Sequence, residues 1–351
     1  MINRILGGLG RILIFSGVVL LLFVGYQLWG TKLDEQGHQD DLAKSFSASV
    51  TEATAANGST GDNDAGDNDA ATIDEQVTAE LASLDPQTAP PVTAPPEGES
   101  AGLIEIPKIG LKSKHFVEGV AKADLRKGPG HYAGTPMPGN PGNAAIAGHR
   151  STYGAPFNRI DELVPGDTII TYTLQGKFVY EVMVSPENRR QGKENGNWGQ
   201  GWFAVNPSDV SVLDPSTENI LTLTACHPKY SAKLRIIVQA KLIAEPAVAA
   251  PPTTVDATPA ASEDDENSQT VSGPATAVTE EDMIAGDSTE LTPSLLFGAL
   301  VIGLWLAAMG AAALLRRRSV RFWPVYVVVT LASAAPLWFC FVHMDRFLPS
   351  Y

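Results

Sequence analysis

A thiol, an imidazole and a guanidinium each stand in this chain where an apolar run meets a loop, and together they could form and resolve a thioester. Cys226 ends the run Ile220-Leu-Thr-Leu-Thr-Ala-Cys. In a strand, that alternation sets Leu221 and Leu223 on one face and Thr222, Thr224 and Cys226 on the other. His227-Pro228 follows, and proline stops a ladder because it has no N–H to donate. A thiol placed this way is accessible while its backbone is held. A free cysteine with a pKa of about 8.5 is only a few per cent thiolate at pH 7, so a nucleophilic one needs a base or a cation beside it. The competing reading is a buried structural cysteine, the commonest fate of an unpaired thiol.

Six histidines could supply the base. His227 is adjacent to the thiol, but neighbours on a strand point to opposite faces. His115 and His131 lie beside charged or turn-like stretches and read as surface residues. His38 falls in an acidic stretch and His343 at the edge of an apolar run. His149 differs: Ala144-Ala-Ile-Ala-Gly-His ends an apolar run in glycine and then presents an imidazole to the loop. A structural histidine is the alternative there. Arg235, nine residues after Cys226, opens the apolar run of Lys233-Leu-Arg-Ile-Ile-Val-Gln-Ala-Lys-Leu. An arginine at a strand start usually just reaches solvent. Beside a thiol it would offer fixed donors to a developing oxyanion and stabilise a thiolate.

The elements that would position these groups are strands. Within residues 101–243, short β-branched and apolar runs recur at Leu103–Ile106, Ala144–Ala147, Thr168–Tyr172, Phe178–Val184, Ile220–Ala225 and Leu234–Leu242. Turn signals such as Val-Pro-Gly-Asp and Asp-Pro-Ser-Thr-Glu-Asn separate them. Many short strands with this punctuation predict one all-β domain, sandwich or barrel. The only notable helical candidate is Asn158–Leu163. About 140 residues suffice for a real core.

The rest of the 351 residues is organised around a membrane. Residues 12–30, 295–315 and 323–344 are apolar runs close to the roughly 20 residues needed to cross a bilayer. Arg4 and Arg11 precede the first run, and Arg316, Arg317, Arg318 and Arg321 lie in the 316–322 loop between the second and third. By the positive-inside rule both basic clusters face the cytoplasm, as does the 1–11 terminus. Residues 31–290 are then outside, in a multi-pass protein of the cell membrane. The first run lacks a small-residue cleavage site and reads as an uncleaved anchor rather than a signal peptide.

Charge is partitioned along the chain. Residues 31–100 carry 15 Asp/Glu against 2 Lys/Arg, and residues 244–290 carry 11 acids and no Lys or Arg. Both are rich in Ala, Thr and Pro and read as disordered acidic linkers that cannot offset chain entropy by burial. The repeat Gly-Asp-Asn-Asp-Ala over 61–70 lacks the spaced glutamate of a calcium loop. Residues 101–243 hold 16 bases against 12 acids, too weak a footprint for a nucleic-acid binder. With Cys226 and Cys340 the only cysteines, a disulfide scaffold is excluded.

The Thr-Leu-Thr-Ala-Cys run at 222–226 with Arg235 beyond it resembles the TLxTC…R signature of the sortases, membrane-anchored cysteine transpeptidases of Gram-positive bacteria. Ala147-Gly-His149-Arg resembles their histidine motif. Pro129-Gly-His-Tyr-Ala-Gly-Thr, Gly148-His-Arg-Ser-Thr-Tyr-Gly and Cys226-His-Pro-Lys-Tyr-Ser resemble the class E, actinobacterial branch. Ala225 departs from the family, which often has Thr there, and the C-terminal membrane pair is atypical of class E. The resemblance implies an all-β, closed eight-stranded sortase-type barrel. It implies that Cys226 attacks the Thr–Gly carbonyl of an LPXTG- or LAXTG-like sorting signal, that His149 is general acid and then base, and that Arg235 stabilises the oxyanion. Tyr132, Thr224 and Ala225 would shape the substrate pocket, with no metal or organic cofactor. The implied partners are secreted proteins with C-terminal sorting signals, and a lipid-linked peptidoglycan precursor or a pilin lysine as amine acceptor. A pilus-assembling sortase, an L,D-transpeptidase-like enzyme and a non-catalytic binding module are the alternatives. Asp85-Pro86 is followed by Gln87, not by the aromatic residue of a pilus-type lid.

Overall fold

The computed structural model describes residues 2–56, 70–186, 200–248, 287–318, 321 and 323–348. The chain divides into two compact units, one of residues 31–282 and one of residues 1–30 with 283–350. The Gly-Asp-Asn-Asp-Ala repeat, most of the 244–290 segment and part of the 316–322 loop lie outside the described residues.

Nine strands make up the larger unit's sheet: β1 (Ser100–Ile106), β2 (Leu111–Glu118), β3 (Gly130–His131), β4 (Asn143–Ala147), β5 (Thr168–Thr173), β6 (Gly176–Val182), β7 (Trp202–Val205), β8 (Ile220–His227) and β9 (Leu234–Leu242). The order β6-β5-β1-β2-β3-β4-β8-β9 is closed by a β6–β9 pairing, so eight strands form the expected closed barrel. β7 is a ninth strand on the β9 edge, paired with Arg235–Val238 while β6 pairs with Ala240–Leu242. Closure leaves few unpaired edges. Each predicted strand is present; β2, β3 and β7 are additional, and Asn158–Leu163 contains only a 3₁₀ turn at Ile160–Glu162.

The strand period decides what faces inward. Leu221, Leu223 and Ala225 of β8 and Ile236, Val238, Ala240 and Leu242 of β9 join Ile104, Phe116, Ile146, Phe157, Phe178 and Tyr180 in one core. Thr222, Thr224 and Cys226 therefore take the outer face, as do Arg235, Ile237 and Gln239.

The expectation of a disordered segment over 31–100 is corrected for two stretches. Thr31–Ala56 forms helix α2 and Ala70–Ser83 forms α3. Phe46 and Val50 of α2 and Val77 and Leu81 of α3 pack with Leu103 and Tyr172 in a second apolar cluster. The i, i+4 spacing within each pair gives each helix an apolar stripe, hidden in the sequence by the surrounding acids. Two of those acids are paired: Glu35 lies 2.6 Å from Lys114, and Asp34 lies 2.9 Å from Arg126. Burial pushes the Glu35 carboxyl up even with Lys114 beside it. Gln39 donates to the His115 and Lys127 carbonyls and accepts from the His115 N–H.

Truncating Phe46 or Leu81 to alanine is expected to cost about 3 kcal/mol, the range for emptying a packed site. Denaturant melts of the full chain in detergent read this directly. Losses below about 0.5 kcal/mol, typical of exposed sites, would mean that the helices are not docked.

In the smaller unit, α1 (Ile2–Gly25) runs into a π-helical turn at Tyr26–Gly30, and α5 (Leu291–Arg317) is followed by α6 (Trp323–Phe347); α4 (Lys122–Leu125) is a single turn in the larger unit. The helical stretches Leu13–Thr54, Ser288–Arg317 and Trp323–Phe347 are long and apolar enough to cross a membrane. Phe23 meets Phe341 and Tyr26 meets Trp338 edge-on, with ring centroids 5.3 and 5.0 Å apart. Gln27 donates to Asp345. Leu20, Leu21, Leu296 and Leu331 are exposed, the outward apolar surface a lipid-facing helix presents.

Candidate active site

Two strand pairings assemble the site. β8 and β9 are antiparallel, and their register sets Cys226 directly opposite Arg235. Residues opposed in such a pair have Cβ atoms about 5 Å apart. β4 and β8 are parallel, with Ala147 beside Thr224, and Gly148 N–H donates to the Thr224 carbonyl. His149 and Cys226 each lie two residues beyond that last pair, so both lie at the same end of the sheet. Cys226 and Arg235 are thus cross-strand neighbours, with His149 in the loop that follows β4 at the same end of the barrel.

Cys226 is in no disulfide and is of intermediate exposure. Arg235 is only 8 % exposed, and its Nη1 donates to the Ala232 carbonyl at 3.1 Å and the Leu234 carbonyl at 3.4 Å. The guanidinium is thereby tied to the loop between β8 and β9. Such a fork carries five N–H donors, more than these carbonyls consume.

His149 is buried, and its Nε2 has no hydrogen-bond partner among the described residues. Gly148 makes this placement feasible: a Cβ there would sit 2.5 Å from the Phe157 ring. The Tyr153 ring lies 5.2 Å from the imidazole, and the Arg126 guanidinium stands over Tyr153. Burial first, then the charges of Lys122 and Arg126, lower the His149 pKa to about 4. A neutral imidazole near pH 7 can take a thiol proton, and the imidazolium so formed is a strong acid.

This burial has a consequence for stability. Between the ordinary value of 6.5 and about 4, the unfolded chain binds a proton at His149 that the folded chain refuses. Stability is therefore full above pH 6.5 and falls as the pH drops towards 4. The gap corresponds to roughly 3 kcal/mol. The melting temperature of the native chain should fall between pH 7 and pH 4.5 by more than that of His149→Asn. Parallel melts of the two proteins would refute the buried, neutral state.

Of the three residues expected to shape a pocket, two meet. The Tyr132 hydroxyl lies 2.9 Å from Thr224 Oγ1 on the outer face of β8. Burial pushes the phenol up, and the charges of Arg235 and Cys226 both act on it. Ala225 is not with them: it faces the core beside Leu221 and Leu223, one residue out of phase with the cysteine face.

His115 and His131 are corrected from surface to interior, at 1 % and 0 % exposure. His115 joins Ser100 Oγ at 3.0 Å and Asp74 at 2.8 Å, and His131 joins Glu118 at 2.6 Å and the Pro136 carbonyl at 3.0 Å. Arg150, until now only the last residue of the histidine motif, is 2 % exposed, with Nη1 3.0 Å from His227 Nδ1 and Nη2 2.8 Å from Asp161. Its only sequence signal is its place directly after His149. No group of three or more His, Cys, Asp or Glu suited to a metal occurs among the described residues.

Comparison with known proteins follows the same region. The family model described as a sortase domain matches residues 104–243. Sortase SrtE1 of Streptomyces coelicolor is 31% identical over 253 residues, covering 68% of this chain and 57% of that protein. Sortase D of Bacillus subtilis is 32% identical over 132 residues, covering 37% of this chain and 56% of that protein. The chain thus spans little more than half the length of these two relatives. Among solved structures, the SrtF sortase from Corynebacterium diphtheriae is 34% identical, covering 46% of this chain and 91% of that one with a TM-score of 0.38.

Proposed function

We propose, from the match of the sortase-domain model to residues 104–243, that this chain is a membrane-anchored cysteine transpeptidase working outside the cell. Its substrates would be secreted proteins bearing an LPXTG- or LAXTG-like signal, and its acceptor an amine on a lipid-linked cell-wall precursor. The observation that carries this reading is the register that sets Cys226 opposite Arg235, with His149 just past the end of β4 beside β8.

The chemistry follows from the groups. His149, neutral near pH 7, takes the Cys226 proton, and the sulfur attacks the Thr carbonyl of the Thr–Gly bond. The C–S bond forms while the carbonyl oxygen gains negative charge beside the Arg235 guanidinium, where a donor is most effective. The imidazolium then gives its proton to the leaving glycine nitrogen as the C–N bond breaks, leaving a thioester. An incoming amine attacks that thioester, loses a proton to His149, and expels the thiolate, which is reprotonated. Tyr132 and Thr224, bonded to each other on the cysteine face, are placed to shape the pocket for the signal.

Three apolar helices support anchoring in a bilayer, and the basic residues flanking them support an outside location for the barrel. The test is to incubate the full chain in detergent with LPXTG and LAXTG peptides and candidate amines, following products by mass. Transfer through an acyl-enzyme on Cys226 is the expected result. Absence of any such adduct with either peptide would overturn the reading.

A further inference from the structure

The backbone ladder between β4 and β8 ends at the Gly148 N–H to Thr224 carbonyl bond, so His149 and Cys226 both lie beyond it. What joins them further out is a side chain. Arg150 leaves the chain directly after His149, yet its guanidinium reaches the end of β8. Nη1 is 3.0 Å from His227 Nδ1 and 3.5 Å from the Cys226 carbonyl oxygen, and Nη2 is 2.8 Å from Asp161 Oδ1. The contacts close on themselves. Trp202 Nε1 donates to the Asp161 carbonyl at 2.9 Å, and the Trp202 and His227 rings are 5.3 Å apart. Asn158 Nδ2 donates to the Arg150 carbonyl, and Phe157 N–H donates to that of His149.

A guanidinium has only donors, so His227 Nδ1 must accept, which fixes a neutral tautomer with its proton on Nε2. Burial, followed by Arg150, lowers the His227 pKa in agreement. His227 is thus a prop for the arginine and not a proton donor to the reaction. Burying a guanidinium is costly, and an apolar side chain of similar volume would fill the space at less expense. The arginine therefore needs a reason other than packing.

We propose that Arg150 is a positioning residue: it locks the loop carrying His149 to the strand end carrying Cys226 and so keeps imidazole and sulfur in register. This rests on the transpeptidase reading for its kinetic readout. It also has a substrate-free readout, the rate at which iodoacetamide alkylates Cys226, because an imidazole in register can take the thiol proton as the sulfur attacks.

The test compares the native chain in detergent with Arg150→Met, Arg150→Lys, His227→Leu and His227→Gln. Arg150→Met should lower kcat at least about tenfold with the peptide KM within about twofold, since small misplacements of reacting groups carry losses of that order or larger. Alkylation of Cys226 at pH 7 should slow at least about threefold. Adding Arg150→Met to a His149→Ala background should change alkylation no further, because the two act as one unit. Arg150→Lys should also be impaired, as one nitrogen cannot serve both Asp161 and His227. His227→Gln, whose amide oxygen can accept from Arg150, should restore most of what His227→Leu loses, and this pair carries the test where Arg150→Met does not fold. Alkylation and kcat within twofold of the native chain in folded Arg150→Met, or independent losses from the two sites, would overturn the proposal. Absence of transfer in the native chain would instead sink the transpeptidase reading, leaving alkylation to decide the role of Arg150.

Discussion

Cys226→Ala is expected to lower peptide transfer by about 10³-fold or more, the scale seen when a covalent nucleophile is removed, while the barrel melts almost unchanged. The two halves of that statement have separate causes. The sulfur lies on the outer face at the last turn of β8, outside the apolar core of Leu221, Leu223 and Ala225. Its removal therefore empties no packed site, and the stability change should stay near the few tenths of a kcal/mol typical of such positions. The catalytic loss is large because no neighbour can replace the sulfur. His227 is committed to Arg150, and the nearest hydroxyl on that face, Thr224, is bonded to Tyr132.

Cys226→Ser sharpens the same prediction. An imidazole held at about 4 is too weak a base to activate a hydroxyl, so serine should fare little better than alanine. Mass spectrometry of the stalled enzyme provides the control: the native chain should accumulate a peptide adduct when acceptor amine is withheld, and neither variant should. A surface binding module would behave differently, retaining its ligand in all three proteins. Adduct formation by Cys226→Ala would move the nucleophile elsewhere.

The parts of this protein that were legible in the sequence are those governed by local period. β8 and β9 alternate cleanly because one face is core, and the same alternation told which face Cys226 takes. β2 was not legible: Leu-Lys-Ser-Lys-His-Phe-Val-Glu breaks the period, since its polar residues Lys114 and His115 are paired with Glu35 of α2 and Asp74 of α3 instead of facing water. β3 has only two residues and no pattern to detect. α2 and α3 were hidden by composition, because their acids look mutually repulsive along the chain, whereas Glu35 and Asp34 pair with Lys114 and Arg126 and Asp74 bonds His115. His115 and His131 failed for a related reason: Asp74 reaches His115 only when α3 packs on the sheet, and Glu118 meets His131 only when β2 and β3 pair in parallel. For the candidate site, residue types and spacing pointed to Cys226, His149 and Arg235, and the β8–β9 register sets the first opposite the last. Arg150 has no periodicity to reveal it, and its partners Asp161 and His227 come together only when β4 and β8 pair in parallel.

Arg235→Lys is expected to cost about 10²-fold or more in the acylation step, though charge is conserved. Removing one donor from an oxyanion site costs about 10²–10³, and the lysine variant loses more than one. Arg235 stands opposite Cys226 across β8 and β9 while Nη1 is held by the Ala232 and Leu234 carbonyls. A planar fork can keep that anchor and still present N–H groups to a tetrahedral intermediate. Ammonium is a single point: bonded to the loop carbonyls it leaves the oxyanion, and moved to the oxyanion it strands two carbonyls and loses its fixed position. The loss should appear in kcat far more than in KM, because the negative charge exists in the transition state and not in the bound peptide. Single-turnover acylation of the full chain, with saturating peptide, isolates that step. Arg235→Ala should be at least as impaired as Arg235→Lys. Turnover in the lysine variant equal to that of the native chain would show that charge alone is needed, and the oxyanion role given to the fork would fall.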